Sequence, residues 1–111
     1  MRDDPEAQLQ RSVLELCQYR HVLVHHCRAA VLPSGRIATP IQGNSGFVDL
    51  VIAGPGGVLW RELKSEDGRP SKAQAEWIAL LHRGGADVAV WRPSDLTSGR
   101  IQREIEAVAR P

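Results

Sequence analysis

Cysteine, aromatic residues and long apolar runs are all scarce in this sequence, and each scarcity excludes something. Cys17 and Cys27 are the only cysteines, too few for a disulfide framework, so a reducing, cytoplasmic setting is expected. No apolar run approaches the ~20 residues that cross a membrane, and the opening "MRDDPEAQLQ" lacks the apolar core of a signal peptide. No charge dominates: 14 Lys and Arg stand against 13 Asp and Glu, for a formal net charge of +1. A basic surface for nucleic acid therefore has to be local rather than global. There is also no phosphate-cradling glycine loop, because the run Gly54–Gly57 is followed by a strand pattern and not by a helix. What remains is ordinary globular composition, 42% hydrophobic and 24% charged over 111 residues. That is enough for one core and one domain, residues 1–111.

Asp4, Pro5 and Glu6 mark a helix start, with Asp as N-cap and Pro at the first helical position. Leu9, Val13, Leu16 and Cys17 continue it as one apolar stripe, ending near Tyr19 and Arg20. His21 to Cys27 reads as a strand with Val22, Val24 and His26 on one face. The segment Ala29–Ser45 is rich in Gly, Pro, Ser, Thr and Asn without a period, and an irregular connection of that length points to function or mobility. Two strands follow, roughly Phe47–Ala53 and Val58–Lys64, joined by Gly54-Pro55-Gly56-Gly57. Ser71 opens a helix with Ala73, Trp77, Leu80 and Leu81 as its stripe and a stop at Gly84-Gly85. Ala86–Trp91 is a short strand, and Pro93–Ala109 a last helix with Leu96, Ile101, Ile105 and Val108 apolar. The order α-β-β-β-α-β-α predicts an α/β fold, a central mixed sheet of about four strands flanked by helices. The strand–helix–strand link to Ala86–Trp91 has the form of a parallel crossover.

The charges in the two central strands are the informative departure. A symmetric hairpin pairs Ala53 with Val58, Val51 with Trp60 and Asp49 with Glu62, leaving Phe47 facing Lys64. Directly opposed carboxylates destabilise a sheet, and burying them costs more still unless a cation balances them. Mg²⁺ or Mn²⁺ accepts one or two carboxylates together with waters and phosphate oxygens. Lys64, on the same face as Glu62, reaches the water or phosphate beside such an ion. A solvated Glu-x-Lys edge is the plain alternative. Glu6 continues the buried stripe toward the sheet, although the helix dipole alone accounts for a first-turn Glu. Gln74 stands at capping-box spacing from Ser71, and can also orient a water or phosphate.

Taken together, "PEAQLQ" with Glu6, "GFVDL" with Asp49, "RELK" with Glu62 and Lys64, and "SKAQAEW" with Gln74 resemble the VRR-NUC branch of the PD-(D/E)XK nuclease superfamily. "GGADVAVWRPSDL" resembles that family's closing strand and helix start. The similarity covers nearly the whole chain apart from Ala29–Ser45. Val48 stands where the family usually has proline, a position outside the metal chemistry where a β-branched residue suits a strand. The resemblance implies a restriction-endonuclease-like core of α-β-β-β-α-β order. It implies a Mg²⁺- or Mn²⁺-dependent endonuclease or structure-selective DNA hydrolase, acting as a homodimer on duplex, flap or four-way-junction DNA in a bacterial or phage-infected cytoplasm. Asp49, Glu62 and the Leu63 carbonyl are then the metal ligands, with Glu6 acting directly or through water. Lys64 orients the attacking water, and Gln74 completes the catalytic set. His26, Arg36, Arg69 and Lys72 are the candidate nucleic-acid contacts. Arg61 points to the opposite strand face, where a structural contact is expected.

Other readings fit less of the chain. His21, His25, His26, Cys17 and Cys27 invite a zinc site but form no Cys-x-x-Cys and no second cluster. Trp60, Trp77 and Trp91 are expected in the core. A non-catalytic nucleic-acid-binding or assembly module that keeps the fold is the main alternative function. An enzyme acting on another phosphate ester, such as a nucleotide, is the third.

Overall fold

Asp4 starts the first helix by accepting the N–H of Ala7 at 2.7 Å, with Pro5 in the first turn where its missing N–H is harmless. The computed structural model describes residues 4–27, 30–31, 33–35, 37–38 and 43–111. Helix α1 (Pro5–Tyr19) ends at Arg20, and His21 takes a left-handed φ of +58° that turns the chain back into β1 (Leu23–His26). Two short strands, β2 (Ala30–Val31) and β3 (Ile37–Ala38), pair antiparallel with each other. The sequence showed no period there, and two-residue strands are too short to display one. The remaining elements are β4 (Leu50–Gly54), β5 (Gly57–Leu63), α2 (Lys72–Arg83), β6 (Asp87–Trp91), α3 (Pro93–Thr97) and α4 (Arg100–Ala109).

The main sheet has the order β1-β4-β5-β6. Its first two pairings are antiparallel and β5–β6 is parallel, as the crossover through α2 required. The fold class expected from the sequence, a mixed four-stranded sheet flanked by helices, is the one found. Three differences have local causes. The last helix is two, because Gly99 adopts φ +85° and breaks α3 from α4. Strand β4 begins only at Leu50, since the chain bends at Asp49 and Phe47 turns its ring edge-on to Trp60 and Trp77, with centroids 6.1 and 5.0 Å apart. Of the three tryptophans only Trp91 is core. Trp60 and Trp77 are half-buried, and Leu80, in the apolar stripe of α2, is 58% exposed.

Strand alternation sorts the sheet into two faces. Leu50, Ile52, Leu59, Leu63 and Trp91 pack under α1 and α4, against Leu9, Val13, Cys17, Ile101, Ile105 and Val108. Arg61 shares that face and is buried, its charge answered by Asp87 at 2.9 Å and Glu104 at 2.8 Å. Burial pushes the Cys17 thiol up to about 11, so it acts as a core side chain and not as a nucleophile. On the other face Phe47 packs edge-on against Trp60 and against Trp77 of α2, a helix that contains no buried residue.

The Gly54–Gly57 turn does more than reverse the chain. The Gly56 N–H donates to the Val108 carbonyl at 2.8 Å, and a Cβ on Gly56 would stand 2.3 Å from the Arg110 carbonyl and 2.5 Å from that of Ala107. The turn is thus docked beneath the end of α4. Gly56→Ala is expected to lower stability by about 1–3 kcal/mol, read as a reduced midpoint in chemical denaturation. An unchanged midpoint would show that the α4 terminus yields without cost.

Candidate active site

Register builds the site. Strand β4 pairs with β5 as Ala53↔Val58, Val51↔Trp60 and Leu50↔Arg61. One step further the strands part, so the expected Asp49–Glu62 and Phe47–Lys64 pairs are not in the ladder: Asp49 Oδ2 instead accepts the Leu63 N–H at 2.8 Å, and Phe47 packs on Trp60 and Trp77. The Asp49 carbonyl meanwhile takes the Cys27 N–H at 3.1 Å. Asp49 is therefore held from both sides, by the continuation of β1 and by β5.

Glu62 lies where strand alternation puts it, on the face opposite Arg61, and is only 1% exposed. Lys64 Nζ stands 3.2 Å from Glu62 Oε2. Neither Glu62 oxygen receives a well-directed hydrogen bond among the described residues. Desolvation, reinforced by the nearby charge of Asp49 and only partly offset by Lys64 and by a hydrogen bond from the Asp49 backbone, pushes Glu62 up to about 7.

Glu6 projects from the first turn of α1 into the same field. It is half-buried and raised above the usual carboxylate range, chiefly by burial; the Lys64 ammonium pulls it down while Asp49 and Asp4 push it up. A cleft of about 450 Å³ opens here, lined by Asp4, Pro5, Glu6, Ala7, Gln10 and Ser65. The structure thus gathers Glu6, Asp49, Glu62 and Lys64 at one end of the sheet.

The outer candidates fall differently. Gln74 Oε1 accepts the Ser71 N–H at 2.8 Å while Ser71 Oγ accepts the Gln74 N–H at 3.2 Å, a full capping box. Its carbonyl oxygen is committed to the helix start, which leaves the amide nitrogen as its free end. His26 is half-buried and meets Gln10, Nδ1 to Nε2, at 3.4 Å. Arg69 and Lys72 are exposed, and Arg36 lies outside the described residues. Gln10 was missed by sequence reasoning, although its place one turn after Glu6 on the same helix face was the available signal.

Among the described residues no cluster of three or more His, Cys, Asp and Glu side chains is poised around one point, which leaves the zinc reading without a site. Asp49 and Glu62 supply two carboxylates, one with both oxygens buried and lacking directed donors. That donor set suits a hard cation that keeps several waters, and not a closed protein cage.

Glu62 also makes stability depend on pH. Its folded value of about 7 lies above the ordinary 4.5, so between these values the folded state holds more protons than the unfolded chain. Stability contributed by the protonated carboxyl is full below that window and falls as pH rises through it. In EDTA, the melting temperature is expected to drop between about pH 5 and about pH 8, and Glu62→Gln is expected to flatten that drop. Parallel curves for the two proteins would contradict the assignment.

No protein-family model matches the chain, and no curated protein matches it by sequence. A solved structure described as a "VRR_NUC domain protein" is similar to it with a TM-score of 0.62 at 22% identity, over 98% of this chain and 98% of that one. Among the described residues no helix is long and apolar enough to cross a membrane. With its mixed four-stranded sheet and flanking helices, the chain has a VRR-NUC-like α/β fold.

Proposed function

We propose that the protein is a divalent-metal-dependent nuclease that hydrolyses phosphodiester bonds in DNA, branched and junction forms included. The observation that carries this reading is the buried Glu62 carboxylate, without directed donors, beside Lys64 and one ladder step from Asp49. A carboxylate that is 1% exposed and raised to about 7 despite Lys64 at 3.2 Å is a costly choice for stability alone. The similarity to a VRR_NUC domain protein supports it at the level of the fold.

In this reading Asp49, Glu62 and the Leu63 carbonyl would hold Mg²⁺ or Mn²⁺, with Glu6 contributing through water. The ion would polarise a phosphate oxygen and lower the pKa of a bound water. Lys64 orients the attacking water and offsets charge that develops on the phosphate. The Gln74 amide nitrogen donates to a phosphate oxygen or the water. Arg69 and Lys72 approach backbone phosphates from the loop and first turn beyond β5, which positions DNA without reading bases. His26, steadied by Gln10 at the cleft margin, is a further contact.

The test is cleavage of single-stranded, duplex, flap and four-way-junction DNA, and of RNA, in Mg²⁺ or Mn²⁺. At least one DNA form is expected to be cut. Asp49→Asn and Lys64→Ala should each lose about 100-fold or more, and EDTA should abolish cutting. No cleavage under either metal, or full activity in Lys64→Ala, defeats the proposal.

The reading includes a homodimer, and α2 is the face proposed for it. Leu80 is exposed beside a hollow of about 500 Å³ lined by Ala73, Glu76, Trp77 and Leu81. Glu76 and Arg83 flank Leu80 one turn to either side, both exposed. Antiparallel pairing of two α2 helices about Leu80 sets each Glu76 against the partner's Arg83, with Ala75 and Ala79 allowing close approach. Light scattering is expected to give twice the chain mass. Glu76→Arg should shift the protein toward monomer, and adding Arg83→Glu should restore the dimer. A wild-type mass of one chain would rule the dimer out.

A further inference from the structure

Between Lys64 and α2 the chain crosses the polar residues 65–71, the kind of segment that usually moves freely. Here one side chain ties it down. Arg92, which follows the last residue of β6, directs Nη1 at the carbonyls of Ser65 at 2.6 Å, Glu66 at 3.0 Å and Gly68 at 2.6 Å. The loop answers with its own charge: the Glu66 carboxylate accepts the Ser94 N–H at the start of α3. Arg92 is itself anchored, its backbone N–H donating to Asp95 Oδ2 at 2.8 Å, and Asp95 pairs in turn with Arg100 at 3.1 Å. The parallel ladder closes beside it, where the Lys64 N–H donates to the Trp91 carbonyl at 3.0 Å. Lys64 and Arg92 thus leave the ends of neighbouring strands together, and the guanidinium grips the residue immediately after the lysine.

Three carbonyls around one cationic nitrogen make a charge-assisted cluster, roughly twice as strong per bond as neutral pairs. Ser65, one of the gripped residues, also lines the cleft opposite Glu6 and Gln10. We propose that Arg92 is a positioning residue for the Lys64 site: by fixing the backbone of residues 65–68 it sets the direction in which Lys64 leaves β5 and holds the Ser65 wall of the cleft. This inference rests on the nuclease reading above. Arg92 bonds to none of Glu6, Asp49, Glu62 or Lys64, so its influence has to pass through the loop. A small displacement of a catalytic group is enough to lower turnover substantially.

Two variants separate positioning from simple stability. Arg92→Met removes the donors, whereas Arg92→Lys returns an ammonium with three N–H groups that can serve the same carbonyls. On a DNA form that the wild type cuts, Arg92→Met is expected to lose about 10-fold in kcat with a smaller change in KM, and Arg92→Lys to recover most of it. Mg²⁺ affinity by calorimetry should hardly change, because Asp49, Glu62 and the Leu63 carbonyl all precede the loop. Amide exchange in residues 65–68 should rise in Arg92→Met. Glu66→Ala, at an exposed position, removes the acceptor of the Ser94 N–H, should show a smaller loss in the same direction and keeps the test decisive if Arg92→Met does not fold. Wild-type kcat in folded Arg92→Met, or in Glu66→Ala when Arg92→Met does not fold, overturns the proposal, as does a loss that follows melting temperature alone and is not recovered by Arg92→Lys. If the wild type cuts nothing, the nuclease reading falls first and takes this one with it; normal cleavage by Arg92→Met defeats only the positioning role.

Discussion

The hydrogen bond from the Leu63 N–H to the Asp49 carboxylate joins the architecture to the site. It stands where the β4–β5 backbone ladder stops, so a side chain finishes what the main chain began. By holding Asp49 against β5, it brings one carboxylate to the place where the next residue along, Glu62, is already forced inward by strand alternation. Glu6 and Lys64 then enter the same field, from the first turn of α1 and from the last step of β5.

Strand β5 carries two almost fully buried charges side by side, and the contrast between them is instructive. Arg61, 2% exposed, points into the main core and is answered at every turn: by Asp87, by the Asp87 and Trp60 carbonyls, by Glu104 and by the Trp91 ring at 5.1 Å. Burial works to raise Glu104, but donors from Arg100, Arg61 and Trp91 outweigh it and hold the carboxylate below its ordinary value. Among the described residues Glu62 has fewer partners, the Lys64 ammonium at 3.2 Å and the Asp49 backbone, and they do not offset its burial. A charge built for stability is enclosed by partners, as Arg61 is. Glu62, with fewer partners, is instead pushed toward its neutral form.

Much of this was legible in advance because it depends on short-range rules. Asp4-Pro5 and Ser71…Gln74 marked helix starts through capping chemistry that needs only a few neighbouring residues. Alternation put Arg61 and Glu62 on opposite faces, and the length of the glycine turn was enough to pair Val51 with Trp60. Trp77 is half-buried and not core because a helical stripe reveals which face is apolar but not whether anything covers it. The split between α3 and α4 was overlooked because apolar residues continue on both sides of Gly99. The side-chain partners of Gln10 and Arg92 explain why sequence alone did not single them out: His26 lies 16 residues from Gln10, and Ser65 lies 27 from Arg92.

What the sequence determined by itself is therefore the local grammar: where helices begin, which way each strand residue faces, how the central hairpin pairs, and which chemical groups the site has at hand. Tertiary structure alone decided which of those groups meet and at what electrostatic cost. The first turn of α1 had to reach the end of the sheet before Glu6 could sense Lys64, and the core had to close before Glu62 could be desolvated. Local rules act through covalent geometry and neighbouring residues. Burial and charge pairing depend on chain segments far apart in sequence, and those are fixed only when the whole domain packs.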